Sequence, residues 1–245
     1  MAWATEKLSE VAPSRPLKVK DTNAEDEIWQ LNLNHIESDT GKLIQLDSQP
    51  YSEAGSSTHW FDERHVLYSK LRPYLNKVLL PQQRGLATTE LVPMLPNEKL
   101  LNRKYLAYYL RSKKFVDWVS VQTAGAKMPR VAMKVFWEHE IPLPPLAEQQ
   151  KIAAILDAAD QLRQKDQQLI DHYTTLGQSL FLEMFGSSNA AFNKWPVVEI
   201  KELAAPKKGS MRTGPFGSNL LHSEFINEGE VAVLARMIHK PLTQR

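Results

Sequence analysis

The sequence changes character at Ile141-Pro-Leu-Pro-Pro-Leu-Ala-Glu-Gln-Gln-Lys-Ile152. Upstream of this stretch, short apolar runs alternate with prolines, whereas residues 146–185 contain no proline and only one glycine, Gly177. Prolines suit a helix start because the amides of the first turn have no partner within the helix. The stretch therefore predicts a boundary between a strand-rich domain and one long helix.

Apolar or core-compatible side chains recur along the predicted helix at the three- and four-residue steps of a heptad pattern. We call this set the seam, and it consists of Ile152, Ile155, Ala159, Leu162, Leu169, Tyr173, Leu176 and Leu180. The seven-residue step from Leu162 to Leu169 skips over Asp166. A single helix cannot bury such a stripe by itself, so the pattern predicts packing against a second helix.

The residues before the junction favour a mixed α/β domain. Short strands are predicted at residues 28–33, 66–68, 78–80 and 90–92. Interspersed prolines favour sheet edges and loops over the interior of a parallel sheet. Residues 100–121 predict a helix whose tyrosine and tryptophan side chains fit core packing better than base stacking.

The whole chain suggests an ordinary protein, but its charge is unevenly distributed. The 245 residues are 42% hydrophobic with a net charge of +2. Residues 64–134 carry 14 Lys and Arg against 3 Asp and Glu, a net charge of +11, whereas residues 1–63 carry 5 against 12, a net charge of −7. The basic segment fits a surface for a polyanion such as nucleic acid. It fits equally well a solvated face paired with the acidic segment, and charge alone leaves both open.

Composition excludes several classes of protein. The absence of cysteine excludes a disulfide framework, cysteine-ligated zinc and thiol catalysis. The sequence has no apolar run of membrane-spanning length and no signal-peptide core at its start, so we expect a cytoplasmic protein without a membrane partner.

A second copy of the chain's beginning follows the helix. Trp3-Ala-Thr-Glu-Lys-Leu-Ser-Glu-Val-Ala12 aligns with Trp195-Pro-Val-Val-Glu-Ile-Lys-Glu-Leu-Ala204, 192 residues later. The expected organisation is a domain at 1–145, a helix at 146–186, and a linker with the start of a second domain at 187–245. About 50 residues cannot complete a domain of this type, so we expect the second copy to be a fragment.

Several of these stretches resemble the specificity subunit of type I restriction-modification systems. The most specific is the junction at 141–152, followed by Leu180-Phe-Leu-Glu-Met-Phe-Gly186. Leu67-Tyr-Ser-Lys-Leu-Arg-Pro-Tyr-Leu-Asn-Lys77 and Gly125-Ala-Lys-Met-Pro-Arg-Val131 are similar to one subgroup of the family's target-recognition domains. The resemblance covers nearly the whole chain, in truncated form.

The resemblance implies a non-catalytic subunit that reads double-stranded DNA. In this family two recognition domains each read one half of a split target, and two antiparallel spacer helices set the distance between the halves. Methyltransferase subunits modify adenine with S-adenosylmethionine, and translocase-nuclease subunits join for cleavage. We therefore expect S-adenosylmethionine, ATP and magnesium on partner subunits, and no cofactor or metal on this chain.

Candidate DNA-binding residues follow from side-chain chemistry. Arg and Lys suit phosphate oxygens, Arg also bridges guanine O6 and N7, and Asn pairs with adenine. Glycine permits close backbone approach to a phosphate. The candidates are Lys70, Arg72, Asn76, Lys77, Thr88, Thr89, Gly125, Lys127 and Arg130. Two of the interpretations stay open, because an Asn in a turn commonly bonds to its own backbone, and Glu90 either accepts from cytosine N4 or pairs with a nearby lysine.

Two other functions compete with DNA reading. His35, His59 and His65 lie near Asp39 and Asp62, but their spacing is not specific for a metal or an acid–base pair. The alternative to a DNA reader is a truncated remnant or a helical scaffold that only recruits proteins.

The unpaired seam predicts a homodimer in which the helices pack antiparallel and a second recognition domain is supplied in trans. Two-fold symmetry would then require an inverted-repeat target. Asp166 would help to fix the register of the two helices.

Overall fold

The computed structural model describes residues 3–19, 22–125, 127–186, 194 and 196–207. The chain divides into two compact units, 1–170 and 171–245, so the boundary falls inside the long helix. The predicted boundaries at 145 and 186 stay predictions, and most of the predicted third segment lies outside the described residues.

The first unit contains eleven short strands in its described residues. They are β1 Thr5–Lys7, β2 Glu27–Leu31, β3 Asp47–Pro50, β4 Thr58–Phe61, β5 Val66–Ser69, β6 Val78–Leu79, β7 Gly85–Thr88, β8 Leu91–Met94, β9 Thr123–Ala124, β10 Arg130–Val131 and β11 Glu140–Pro142. One sheet has the order β3-β2-β7-β4, with β2 and β7 parallel, and a second has the antiparallel order β6-β5-β8. The strand predictions at 28–33, 66–68, 78–80 and 90–92 each correspond to one of these strands.

The helices of the described residues are α1 Leu8–Val11, α2 Arg103–Arg111, α3 Lys113–Ser120, α4 Met133–Trp137, α5 Leu146–Phe185 and α6 Ile200–Leu203. Short 3-10 turns occupy Leu33–His35, Tyr51–Glu53 and Pro73–Leu75. The predicted fold class, a mixed α/β domain followed by one long helix, is confirmed. None of the described helices is both long and apolar enough to cross a membrane.

The prediction of one helix over residues 100–121 was wrong, because α2 and α3 are separate helices. Ser112 between them has an extended backbone (φ −65°, ψ 143°), and its side chain accepts a hydrogen bond from the amide of Phe115 at 3.3 Å. The serine thus ends one helix and caps the next. The break bends the chain so that both helices contribute buried side chains to one core.

Two groups of buried apolar residues stabilise the strand-rich domain. The larger joins the helices to the β6-β5-β8 sheet and has Tyr68, Phe115 and Phe136 in mutual ring contact. The smaller lies around Trp29 and Phe61, whose rings meet edge to face at 5.1 Å. Together they hold in place the loops that carry the candidate site.

The sequence repeat is visible in local structure. α1 and α6 are both four-residue helices at equivalent positions of the aligned copies, each preceded by an extended residue. Leu8 and Val11 are buried in the first copy, whereas Ile200 and Leu203 are exposed in the second. Trp195, which opens the second copy, lies outside the described residues.

Candidate nucleic-acid interface

Two segments that are 60 residues apart in sequence meet at the candidate site. Leu71 forms an isolated bridge with Arg130. The amide of Arg72 donates to the carbonyl of Pro129 at 2.8 Å, and the amide of Val131 donates to the carbonyl of Lys70 at 2.9 Å. The strand–turn around Arg72 and the basic loop, which sequence reasoning selected separately, are therefore parts of one surface.

The basic loop is the tip of a small hairpin between β9 and β10. Arg130 pairs with Ala124 and Val131 with Thr123. Gly125 has φ +99°, and a Cβ there would meet the carbonyl oxygen of Met128 at 3.2 Å. Glycine is required at this position because other residues are strained at such a φ. Lys127 is exposed on the tip, and Ala126 lies outside the described residues.

Arg72 sits at the base of this hairpin in an unusual backbone conformation. Its φ of 49° is left-handed, and Pro73 starts the 3-10 turn immediately after it. Its side chain is exposed, with one guanidinium nitrogen 3.5 Å from the carbonyl oxygen of Lys127. The turn thus directs the Arg72 side chain toward the hairpin tip.

A third segment joins the surface through Glu90. Its carboxylate binds Arg130 in a bidentate pair, with Nη2 to Oε1 at 2.9 Å and Nε to the two oxygens at 3.0 and 3.2 Å. This ion pair raises the pKa of Arg130. Glu90 does have the ion-pair partner that the sequence left open, but the partner is an arginine and not a lysine. Arg130 therefore brings less uncompensated charge to the surface than its sequence position suggests.

Thr88 and Thr89 lie at the end of β7, next to this ion pair. Thr88 pairs with Thr58 of β4, and the amide of Thr89 donates to the carbonyl of Ser57 at 3.1 Å. Thr89 also lines a cavity of about 180 Å³ together with Lys70 and His59. Burial, and next the charge of Lys70, lower the pKa of His59. His59 therefore lines the site. Sequence reasoning did not include it among the DNA-binding candidates, because the residues that surround it lie on other strands.

Asn76 and Lys77 have partners inside the domain. Asn76 is buried, with φ 50°, and its amide donates to Asp39 and to the carbonyl of Arg111, both at 3.2 Å. Lys77 donates to the carbonyl of Leu33 at 2.7 Å, and burial lowers its pKa. The structure does not place these two side chains with the exposed Arg72 and Lys127.

Three cations of the surface have no acidic partner. Within the described ranges, no carboxylate oxygen lies within 4.0 Å of the charged nitrogens of Lys70, Arg72 or Lys127. We call these three residues, with Thr88, Thr89, Gly125 and the Glu90–Arg130 pair, the basic surface. Its free positive charge suits phosphate oxygens, and its Thr, Glu and Arg groups suit base edges.

Two of the three histidines considered as a metal or acid–base site, His35 and His65, have structural partners. His65 is fully buried, with Nδ1 2.8 Å from Asp62 and Nε2 2.9 Å from the carbonyl oxygen of Arg15. His35 lies 3.3 Å from Asp47. Among the residues that the structure describes, no three His, Asp or Glu side chains are grouped so that they could hold a metal ion.

The seam residues occupy two different environments. Ile152 packs against the core of the strand-rich domain. The remaining predicted seam residues are exposed, namely Ile155, Ala159, Leu162, Leu169, Tyr173, Leu176 and Leu180. Beyond the first turns of α5, the apolar stripe is therefore available to a second surface.

Comparison with known proteins finds one family whose model matches the central part of the chain. Residues 74–171 match the family described as type I restriction modification DNA specificity domain. Over these residues the chain is similar to the DNA specificity domain of type I restriction-modification systems. The match includes the hairpin with Lys127 and Arg130 and the first part of α5.

Curated proteins of similar sequence and solved structures of similar fold include type I specificity subunits. The EcoDI specificity subunit of Escherichia coli is 29% identical over 156 residues, which cover 62% of this chain and 34% of that protein. A chain from a structure on complex assembly and conformational transition of the type I R-M system has a TM-score of 0.59 at 21% identity, covering 77% of this chain and 51% of that one. The HsdS subunit of Thermoanaerobacter tengcongensis has a TM-score of 0.56 at 22% identity, with the same coverage. The chain spans about a third of the length of the curated relatives that it matches.

Proposed function

We propose that this chain acts as a type I specificity subunit and reads one half of a split duplex DNA target through the basic surface. The observation that carries the proposal is the convergence of three remote segments, around Arg72, Glu90 and the 123–131 hairpin, on one exposed surface with unpaired cations. Phosphate contacts by Lys70, Arg72 and Lys127 would fix the register of the domain on the duplex. Base discrimination would come from the threonines and from the Glu90–Arg130 pair.

The Glu90–Arg130 pair has a further consequence for specificity. A carboxylate inside a basic surface repels phosphates, so it opposes binding in arbitrary registers. When a base edge offers a matching donor and acceptor, Glu90 and Arg130 can each bond to it while remaining close together. The pair would therefore favour selective over indiscriminate binding.

We further propose that two chains form a homodimer through the exposed part of the seam, which would place two recognition domains on one DNA. In this arrangement the chain contributes no catalysis. Methyltransferase and translocase-nuclease partners, carrying S-adenosylmethionine, ATP and magnesium, would act on the DNA that it selects. Support comes from the exposed stripe of α5 and from the similarity of residues 74–171 to the type I specificity domain.

The decisive experiment is a binding selection on random duplex DNA with the purified chain, with and without a methyltransferase subunit. We expect an enriched inverted repeat with a fixed gap. A single short half-site would show one working recognition domain and no functional dimer. No enrichment under either condition would overturn DNA reading in favour of a remnant or scaffold.

Two substitutions test the location of the interface. We expect Arg72→Ala and Lys127→Ala to weaken binding of all duplexes alike, each lowering the slope of log affinity against log salt by about one. Lys99→Ala, an exposed lysine outside the basic surface, is the matched control. Unchanged affinity at low salt in both variants would exclude this surface.

A further inference from the structure

The root of α5 is fixed to the strand-rich domain by a buried amide. Gln149 has no exposed surface. Its side-chain oxygen accepts from the amide of Asn102 at 2.8 Å, and its nitrogen donates to the carbonyls of Leu100 and Pro144 at 2.9 and 2.8 Å. A displacement of the helix would leave these groups unsatisfied in a dry environment, which is costly. Gln149 therefore holds the helix in one position.

Two more residues extend this contact along the same face of α5. Gln149, Ala153 and Asp157 follow at four-residue spacing and so lie one above the other. Ala153 is buried. Asp157 accepts hydrogen bonds from the Lys104 ammonium and, at 2.7 Å, from the Tyr108 hydroxyl. Partial burial opposes the charged form of Asp157, but these two bonds outweigh it and keep its pKa below the usual value.

The partner of this face is α2, which is itself anchored in the core. Asn102 caps α2 by accepting from the amides of Lys104 and Tyr105 at 3.0 Å. Leu106 and Leu110 on the same helix are fully buried. Gln149 thus binds the residue that caps the start of α2, and Asp157 binds two side chains further along that helix. The two contacts, separated by two turns of α5, fix its direction as well as its position.

The next acidic residue of α5 provides a contrast. Asp160 pairs with Arg163 of the same helix at 2.9 Å. Its hydrogen bonds go to Arg163 and Gln164, both on α5. It therefore matches Asp157 in charge and in location on the helix, but lacks its bonds to the domain.

We propose that Gln149 and Asp157 are positioning residues that set the number of base pairs between the two half-sites. The inference rests on the proposed function, in which α5 separates two recognition domains. One additional base pair moves a half-site by about 3.4 Å and rotates it by about 34° around the duplex. A protein rejects such a step only if the angle between its domain and its spacer helix is rigid, and these contacts provide that rigidity.

The test repeats the DNA selection with Asp157→Ala and Gln149→Leu, with Asp160→Ala as control. We call the contacts of Gln149 and Asp157 with the domain the lock, and Asp157→Ala and Gln149→Leu the lock variants. We expect the lock variants to enrich the same half-site bases. Their preference for the correct gap over gaps one base pair longer or shorter should fall about fivefold or more. The control should keep the wild-type preference. An unchanged gap preference in both lock variants overturns the inference and leaves the proposed function intact. A wild type that enriches only single half-sites would overturn the proposed dimer, and one that enriches no sequence would overturn DNA reading itself.

A second measurement examines the lock without DNA. Because the chain has no cysteine, Gln83→Cys and Gln164→Cys allow spin labels at one exposed site on the domain and one on α5. Labelled chains are diluted with unlabelled protein so that only distances within one chain are measured. We expect Asp157→Ala to broaden the distribution of distances between the two labels and Asp160→Ala to leave it narrow. Equal distributions would overturn the lock, and this variant covers the case in which Gln149→Leu fails to fold.

Discussion

The strand-rich domain and the helix α5 differ in how much of their apolar side chains is exposed. Phe61, Phe115 and Phe136 of the domain are at most 1% exposed, whereas Leu169 and Tyr173 of the helix are 50% and 70% exposed. Burial of apolar surface is the dominant favourable contribution to folding. The domain thus derives its stability from its own residues and from the first turns of α5. The exposed stripe of α5 gains none until a second surface covers it.

Removing a core ring should show the largest difference between the two regions. Phe136→Ala removes a fully buried ring that lies 4.7 Å from Tyr68 and 6.0 Å from Phe115 between centroids. We expect the free energy of unfolding of the domain to fall by about 3–5 kcal/mol. Leu176→Ala should leave the same urea transition unchanged at concentrations where the chain is monomeric. Equal losses in the two variants would mean that the helix is stabilised within the monomer.

Charges on the seam should break association and spare the domain. Leu169→Asp combined with Leu176→Asp would place carboxylates in the apolar contact between two helices. We expect the dissociation constant of the dimer, measured by sedimentation equilibrium, to rise about 100-fold or more. Gln164→Asp adds a charge away from the seam and should have little effect. A wild-type chain that is monomeric at tens of micromolar would contradict the proposed dimer.

The smallest expected effect is a pH dependence of the stability of the strand-rich domain, caused by a histidine of that domain. His139 of the domain lies 2.8 Å from the Tyr109 hydroxyl and 4.0 Å from the Trp118 ring. Burial, and next the charge of Lys114, lower its pKa. The unfolded chain therefore binds more protons between the lowered pKa and about 6.5, so stability is full above this window and falls as the pH decreases through it.

We expect the thermal midpoint of the domain to decrease by about 2 °C across this window. His139→Gln keeps a hydrogen-bonding group for Tyr109 but does not titrate, so it should reduce this dependence. The measurement is thermal unfolding followed by near-ultraviolet circular dichroism, to which the tryptophans of the domain contribute. An identical pH profile in the wild type and the variant would assign the dependence to another group.

The sequence predicted those features that depend on local patterns. Proline content and heptad spacing located the start of α5 and its exposed seam, and alternation with turn residues located β2, β5, β6 and β8. It did not predict the break at Ser112, because a single side-chain cap does not change the apolar spacing. It also missed Gln149, since a polar residue near a helix start is expected to be solvated.

The sequence predicted the residues of the candidate site only in part, because their positions also depend on more than local patterns. Arg72, Glu90 and Lys127 were identified by residue type, and their convergence depends on long-range pairing such as the Leu71–Arg130 bridge. The roles of Asn76 and Lys77 depend on Asp39, Arg111 and Leu33, whose proximity is set only by the fold. Residue type indicates what a side chain can bind, and only tertiary structure decides which partner is within reach.

The pairing of β1 with β11 brings the two ends of the strand-rich domain together. Thr5 is opposite Pro142 and Lys7 is opposite Glu140, so the chain enters and leaves the domain through adjacent strands, directly before α5. Everything between residues 8 and 139 is a closed loop on this base. Such a module can be exchanged for another of the same kind without re-routing the chain. Under the proposed function, such an exchange would attach new DNA preferences to an unchanged helix.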